Sequence, residues 1–101
     1  MPRIPPIDPA EASGEAKTLL DAVTRKLGRV PNLMRTLAHS PAALAGSLAL
    51  SGALDTTALD ARTRERIALA VAQANACGYC LSAHSAIAAR AGLGAEEIAA
   101  A

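Results

Sequence analysis

A chain in which roughly one residue in four is alanine, and only one residue is aromatic, has few ways to build an interior. Alanine favours helix because it loses no side-chain entropy on ordering. It also offers little apolar area, so an alanine-rich core gains less hydrophobic free energy than one rich in Leu and Phe. At 101 residues the chain has room for one domain, expected to span 1–101, with a modest core. Self-association is the expected compensation. The composition therefore predicts an all-α fold and a homo-oligomer, a trimer or hexamer, that buries the apolar faces of helices within residues 41–74.

Local signals divide the chain into helices. Residues 1–7 carry three prolines and are expected to form an extended arm. Asp8, Pro9 and Glu11 supply an N-cap, a first-turn proline and an acidic first turn. Ala16, Leu19, Leu20, Val23 and Leu27 follow at helical spacing, and Gly28 is placed to end that helix. Pro31–Asn32 restarts the chain, with Asn32 capping a segment through Leu37. Ser40–Pro41 starts another helix carrying Leu44, Leu48 and Leu50, and Asp55–Thr57 mark a turn. From Leu59 the pattern predicts a helix with Ile67, Ala70, Val71 and Ala74 along one stripe, ending near Asn75–Ala76. Cys77–Gly78 interrupts the run. The next helix begins at the cysteines and closes at Gly92, and Ala95–Glu96–Glu97 opens a last one. No segment alternates as a strand would.

The charge pattern excludes several functions. Net charge is +1, and the densest basic group, Arg62, Arg64 and Arg66, reads as a solvated helix face. One aromatic residue provides no stacking platform for bases, so no nucleic-acid partner is expected. The N-terminal MPRIPPIDPAE lacks the apolar core and cleavage pattern of a signal peptide, and no apolar run reaches membrane-spanning length. A cytoplasmic protein with no membrane association is expected. Two cysteines in a reducing compartment point to catalysis or metal binding before structure.

The chemistry concentrates at Cys77-Gly78-Tyr79-Cys80, followed by His84. At a helix start, Cys77 and Cys80 are three apart and can reach disulfide distance. Cys80 and His84 are four apart on one face. The N–H groups at the helix N-terminus favour thiolate over thiol. If the preceding helix packs back, the Glu65 carboxylate can come beside the pair.

A low-pKa cysteine alone would gain little. A thiol of pKa about 8.5 is only ~3% thiolate at pH 7, and lowering it to about 6.5 raises that roughly 25-fold. The same shift cuts intrinsic nucleophilicity roughly 6- to 10-fold. A positioned acid, by contrast, contributes about 10²–10⁴. Glu65 and His84 therefore matter more as a proton relay than as charge partners.

The motif Glu65, eleven intervening residues, Cys77-x-x-Cys80-x-x-x-His84 resembles the core of the alkylhydroperoxidase D (AhpD-like) branch of the carboxymuconolactone decarboxylase family. Gly28-Arg29-Val30-Pro31-Asn32 and His39-Ser40-Pro41 resemble the N-terminal portion of its peroxidase-related members. The resemblance implies an AhpD-like oligomeric helical bundle and thiol-dependent hydroperoxide reduction. Carried over, Cys80 is the peroxidatic cysteine and Cys77 resolves its sulfenic acid, with Glu65 and His84 as the relay. The implied partners are a hydroperoxide substrate and an external dithiol protein, and no cofactor or metal is implied. Tyr79 departs from the best-studied branch, which has a histidine there. Members generally continue for several helices further, so the C-terminal helices are expected to be cut short here.

Other readings compete. The cysteines could form a structural disulfide, or hold zinc with His84 and Glu65, although a Cys₂-His-Glu set is uncommon. Glu65 could be one member of an Arg-flanked surface, and His39 a local partner of Ser40–Pro41. Tyr79 reads as a pocket wall or subunit contact. Alternative functions are a protein disulfide reductase, a redox sensor, and a non-redox lactone decarboxylase, against which the vicinal thiols argue.

Overall fold

A computed structural model of the chain describes residues 2–101. Six helices follow one another, with no strand among the described residues: α1 (Gly14–Leu27), α2 (Asn32–Leu37), α3 (Pro41–Leu54), α4 (Ala61–Ala74), α5 (Gly78–Arg90) and α6 (Ala95–Ala100). None is long and apolar enough to cross a membrane. The fold is all-α, as the composition predicts. The chain's contacts gather into two compact units, one ending at Leu54 and the other Asp55–Ala101.

In the first unit, Leu20, Ala38 and Leu44 are buried together, with Ala16, Leu19, Met34 and Leu48 packed against them. Proline keeps the arm out of helix, and α2 holds it in place. Ile7 N–H donates to the Arg35 carbonyl at 3.2 Å, and Arg35 Nε donates to the Ile7 carbonyl at 2.7 Å. His39 Nε2 lies 2.7 Å from the Pro5 carbonyl. His39 thus ties down a segment 34 residues away, instead of serving only Ser40–Pro41. Ser40 does cap α3, its Oγ accepting the Ala43 N–H at 3.3 Å.

Two expected starts move. Asp8 accepts the Ala10 N–H at 2.9 Å and so caps a turn, whereas α1 begins at Gly14. Gly14 takes a left-handed φ of 61°, which redirects the chain between that turn and the helix. At α2 the N-cap is Pro31, and Asn32 is the first helical residue, accepting from Arg35 at 3.1 Å.

The second unit is built on α4 lying against α5, with α6 packed on α5. Asp60 caps α4 by accepting the Thr63 N–H at 2.8 Å. That bond, helped by the Arg62 and Arg66 charges, holds the Asp60 carboxyl below its ordinary value. Glu65, Leu69 and Ala72 are inward positions of α4 at three-and-four spacing, and Arg62 continues the same line to reach α6. Leu69, Ala88 and Leu93 form the buried core there, with Leu81 and Ile98 against it. The stripe expected from Ile67, Ala70, Val71 and Ala74 lies on the opposite face, where Ile67 is 49% and Val71 52% exposed. Polar residues can face inward because each finds a partner, which releases the apolar stripe to the outside.

The basic group is likewise more than a solvated face. Arg62 donates to the Gly92 carbonyl and to Glu97 Oε2, both at 2.8 Å, and Arg66 reaches the same oxygen at 2.6 Å. Arg64 donates to the Leu59 carbonyl at 3.0 Å and pairs with Asp55 at 3.7 Å. Two arginines of α4 therefore clamp α6 through one carboxylate. The Gly94 N–H, then Arg66 and Arg62, hold the Glu97 carboxyl below its ordinary value of 4.5. A carboxyl depressed in the folded state contributes stability above its unfolded value, and that contribution is lost as pH falls through the folded value. The thermal midpoint should therefore fall between pH 5 and pH 3, and fall less in Glu97→Gln. Equal acid sensitivity in both proteins, by circular dichroism melts, would remove Glu97 from this role.

Candidate active site

The link between α4 and α5 sets up the site. Helix α4 ends in a two-bond turn: Cys77 N–H donates to the Ala72 carbonyl and Ala76 N–H to the Gln73 carbonyl, both at 3.0 Å. The same closure ends α5, where Leu93 N–H reaches Ala88 at 3.0 Å and Gly92 N–H reaches Ala89 at 3.1 Å. Gly92 takes the left-handed φ that this turn needs. At the end of α4 the equivalent residue is Ala76, with φ 51°, the only non-glycine residue at positive φ among those described. A left-handed alanine costs roughly 1–2 kcal/mol. The turn leaves no linker, so the residue after Ala76 becomes the N-cap of the next helix. That residue is Cys77.

Cys77 caps α5 with its sulfur, which accepts the Cys80 N–H at 3.2 Å. Cys77 and Cys80 are joined as a disulfide, with Cα atoms 5.2 Å apart. Both are half-buried. One turn beyond Cys80, His84 Nδ1 lies 2.8 Å from Glu65 Oε2 of α4. Side-chain exposure is 15% for Glu65 and 35% for His84, so the carboxylate lies within the seam and the imidazole at its edge. A carboxylate so placed holds the proton on Nδ1, which leaves Nε2 to exchange a proton with a reacting group. The start of α5 thus carries a redox-capable sulfur pair, and one turn further along it an imidazole held by a carboxylate.

The four residues singled out from sequence thus occupy one unit, with Cys77 and Cys80 at the start of α5 and Glu65 paired with His84 between α4 and α5. Among the described residues no group of three or more His, Cys, Asp and Glu side chains is arranged to hold a metal ion. The same unit carries a groove of about 230 Å³ lined by Leu69, Gln73, Leu81, Ser85 and Ile98 among others, and none of the four site residues lines it.

A profile of the carboxymuconolactone decarboxylase family matches residues 37–101, the segment that holds α3 to α6 and all four site residues. The chain belongs to that family. Its fold also matches the crystal structure of the alkylhydroperoxidase AhpD core from Rhodospirillum rubrum ATCC 11170. The TM-score is 0.87 and the identity 34%, over 99% of this chain and 78% of that one. No curated protein sequence matches the chain. The carboxymuconolactone decarboxylase family thus supplies the AhpD-like fold in which this seam sits. The left-handed Ala76 and the Arg62–Glu97–Arg66 clamp were not anticipated. Of these, only the clamp left a trace in the sequence, as acidic residues at a helix start paired with an upstream basic group.

Proposed function

We propose that the chain is a thiol-dependent hydroperoxide reductase. The observation that carries this reading is the Glu65–His84 pair at 2.8 Å, one turn from a disulfide-forming cysteine. In the reduced protein the Cys80 thiolate attacks the terminal oxygen of a hydroperoxide. The O–O bond breaks, a sulfenic acid forms on Cys80, and the departing alkoxide takes a proton from His84 Nε2. Glu65 stabilises the imidazolium that forms at the start, when His84 accepts the Cys80 proton. The Cys77 thiol gives up its proton and its sulfur attacks the Cys80 sulfur. The S–O bond breaks, the departing hydroxide takes up that proton and leaves as water, and the disulfide closes. The N-cap contact from the Cys80 N–H supports Cys77 in this role, because a resolving cysteine must itself become a thiolate. An external dithiol protein returns two electrons and two protons, a cycle suited to the reducing cytoplasm.

Membership of the family and the likeness to the AhpD core support the reaction class. The peroxide, the reductant and the roles of the two cysteines are our assignments. Self-association belongs to the same proposal: Ile67 and Val71 of α4 and Leu50 of α3 are exposed apolar side chains within residues 41–74. We propose that they lie in the interface of a trimer or hexamer. Light scattering should return an oligomer, and a stable monomer of 10.2 kDa would contradict this.

The cysteine roles are tested by variants. Cys77→Ser should still react once with peroxide and trap its Cys80 as sulfenic acid, or over-oxidise. Cys80→Ser should lose the fast reaction altogether. First oxidation found on Cys77 by mass spectrometry would reverse the assignment. Two free thiols remaining after one equivalent of peroxide would remove the peroxidase reading.

A further inference from the structure

The chain's single aromatic residue, Tyr79, stands between the two cysteines and is 48% exposed. In so alanine-rich a protein, the core would gain most from an aromatic ring, yet this ring is half in solvent beside the disulfide. No Asp, Glu, Lys or Arg occurs between Arg66 and Arg90, so the segment that carries the disulfide is itself uncharged. Next to Tyr79, a Cβ built on Gly78 would meet nothing within 4 Å, so the space above the helix start is open to an approaching backbone. Half-exposed tyrosines are favoured anchors at protein interfaces, because they bring large contact area for few rotatable bonds.

We infer that Tyr79 is the recognition residue for a protein dithiol reductant, one whose reactive thiol sits in an uncharged, apolar surface. The inference rests on the redox-active pair proposed above and names the partner of that site. The partner's thiolate attacks one sulfur of the Cys77–Cys80 disulfide and the S–S bond breaks. A mixed disulfide forms, and the released cysteine sulfur takes up a proton. The partner's second thiol then attacks the mixed disulfide, freeing the other cysteine and leaving the partner as a disulfide. Two electrons pass to this chain. Tyr79 takes no part in the electron count. Its ring packs on the partner and holds the two sulfur centres in line for attack.

The test starts from the preformed disulfide and uses no peroxide, so its failure is separable from failure of the peroxidase reading. Reduction of the full chain is timed with thioredoxin as the protein dithiol, and with dithiothreitol and dihydrolipoamide as small dithiols. In Tyr79→Ala the thioredoxin rate should fall about 10-fold or more, the scale of a truncated interface anchor. Both small-dithiol rates should stay within about twofold, and Tyr79→Phe should recover most of the thioredoxin rate because the ring remains. Equal slowing by all three reductants would overturn the proposal, since Tyr79 would then be holding the site together. Slowing by dihydrolipoamide as large as by thioredoxin would also overturn it. So would failure of Tyr79→Phe to recover, or a wild-type protein that thioredoxin reduces no faster than dithiothreitol does.

Discussion

A carboxylate turned into the seam between two helices needs a partner, because desolvation without compensation costs several kcal/mol. In this protein Glu65 is that carboxylate, and His84 is the partner that makes its position tenable. Much of the second unit follows from this. The inward stripe of α4 runs Glu65, Leu69, Ala72, and Arg62 continues the same line, with the apolar pair packing on α5 and the polar pair finding specific acceptors and donors. With that face turned inward, Ile67 and Val71 point away and become available for association. The same contact that lets the helices pack also fixes which imidazole nitrogen faces outward.

The backbone does the complementary task for the sulfurs. The turn at Ala76 converts the end of one helix into the start of the next within a single residue. Cys77 then arrives as an N-cap, its sulfur against the Cys80 N–H and bonded to Cys80. Alanine there carries a conformational cost that glycine would not. Helix packing therefore stabilises a conformation that local preference resists, as strained positions near functional sites often require. The arginine clamp on Glu97 braces the far side of the unit, holding α6 beside the same helices.

Much of this was legible in the amino-acid pattern. Gly28, Ser40–Pro41 and Gly92 mark helix ends by chemistry that is local, and the structure follows them closely. The four site residues could be singled out because spacing on a helix fixes the face of Cys77, Cys80 and His84, and the family resemblance added weight to Glu65. What was not legible depended on long-range pairing. Glu65 sits between arginines and reads equally as surface, until His84 is found opposite it. The apolar residues of α4 outnumber its inward ones, so periodicity selects the wrong face for this unit. His39 gives no hint of Pro5, because nothing local links residues 34 apart. Ala76 reads only as the approximate end of a helix, since its left-handed geometry is imposed by the two helices it joins.

In the proposed relay Glu65 acts only through His84, as a positioning residue behind a proton-exchanging imidazole. Groups that work as one unit are non-additive when removed together. The direct measurement is the rate of the first peroxide reaction, by stopped flow, in Glu65→Gln, His84→Gln and the double variant, each with its helicity checked. Each single variant should retain its fold and react about 10²-fold or more slowly, the low end of general acid–base contributions. The double variant should be no slower than His84→Gln alone. Losses that multiply in the double variant would show two independent roles and contradict the relay.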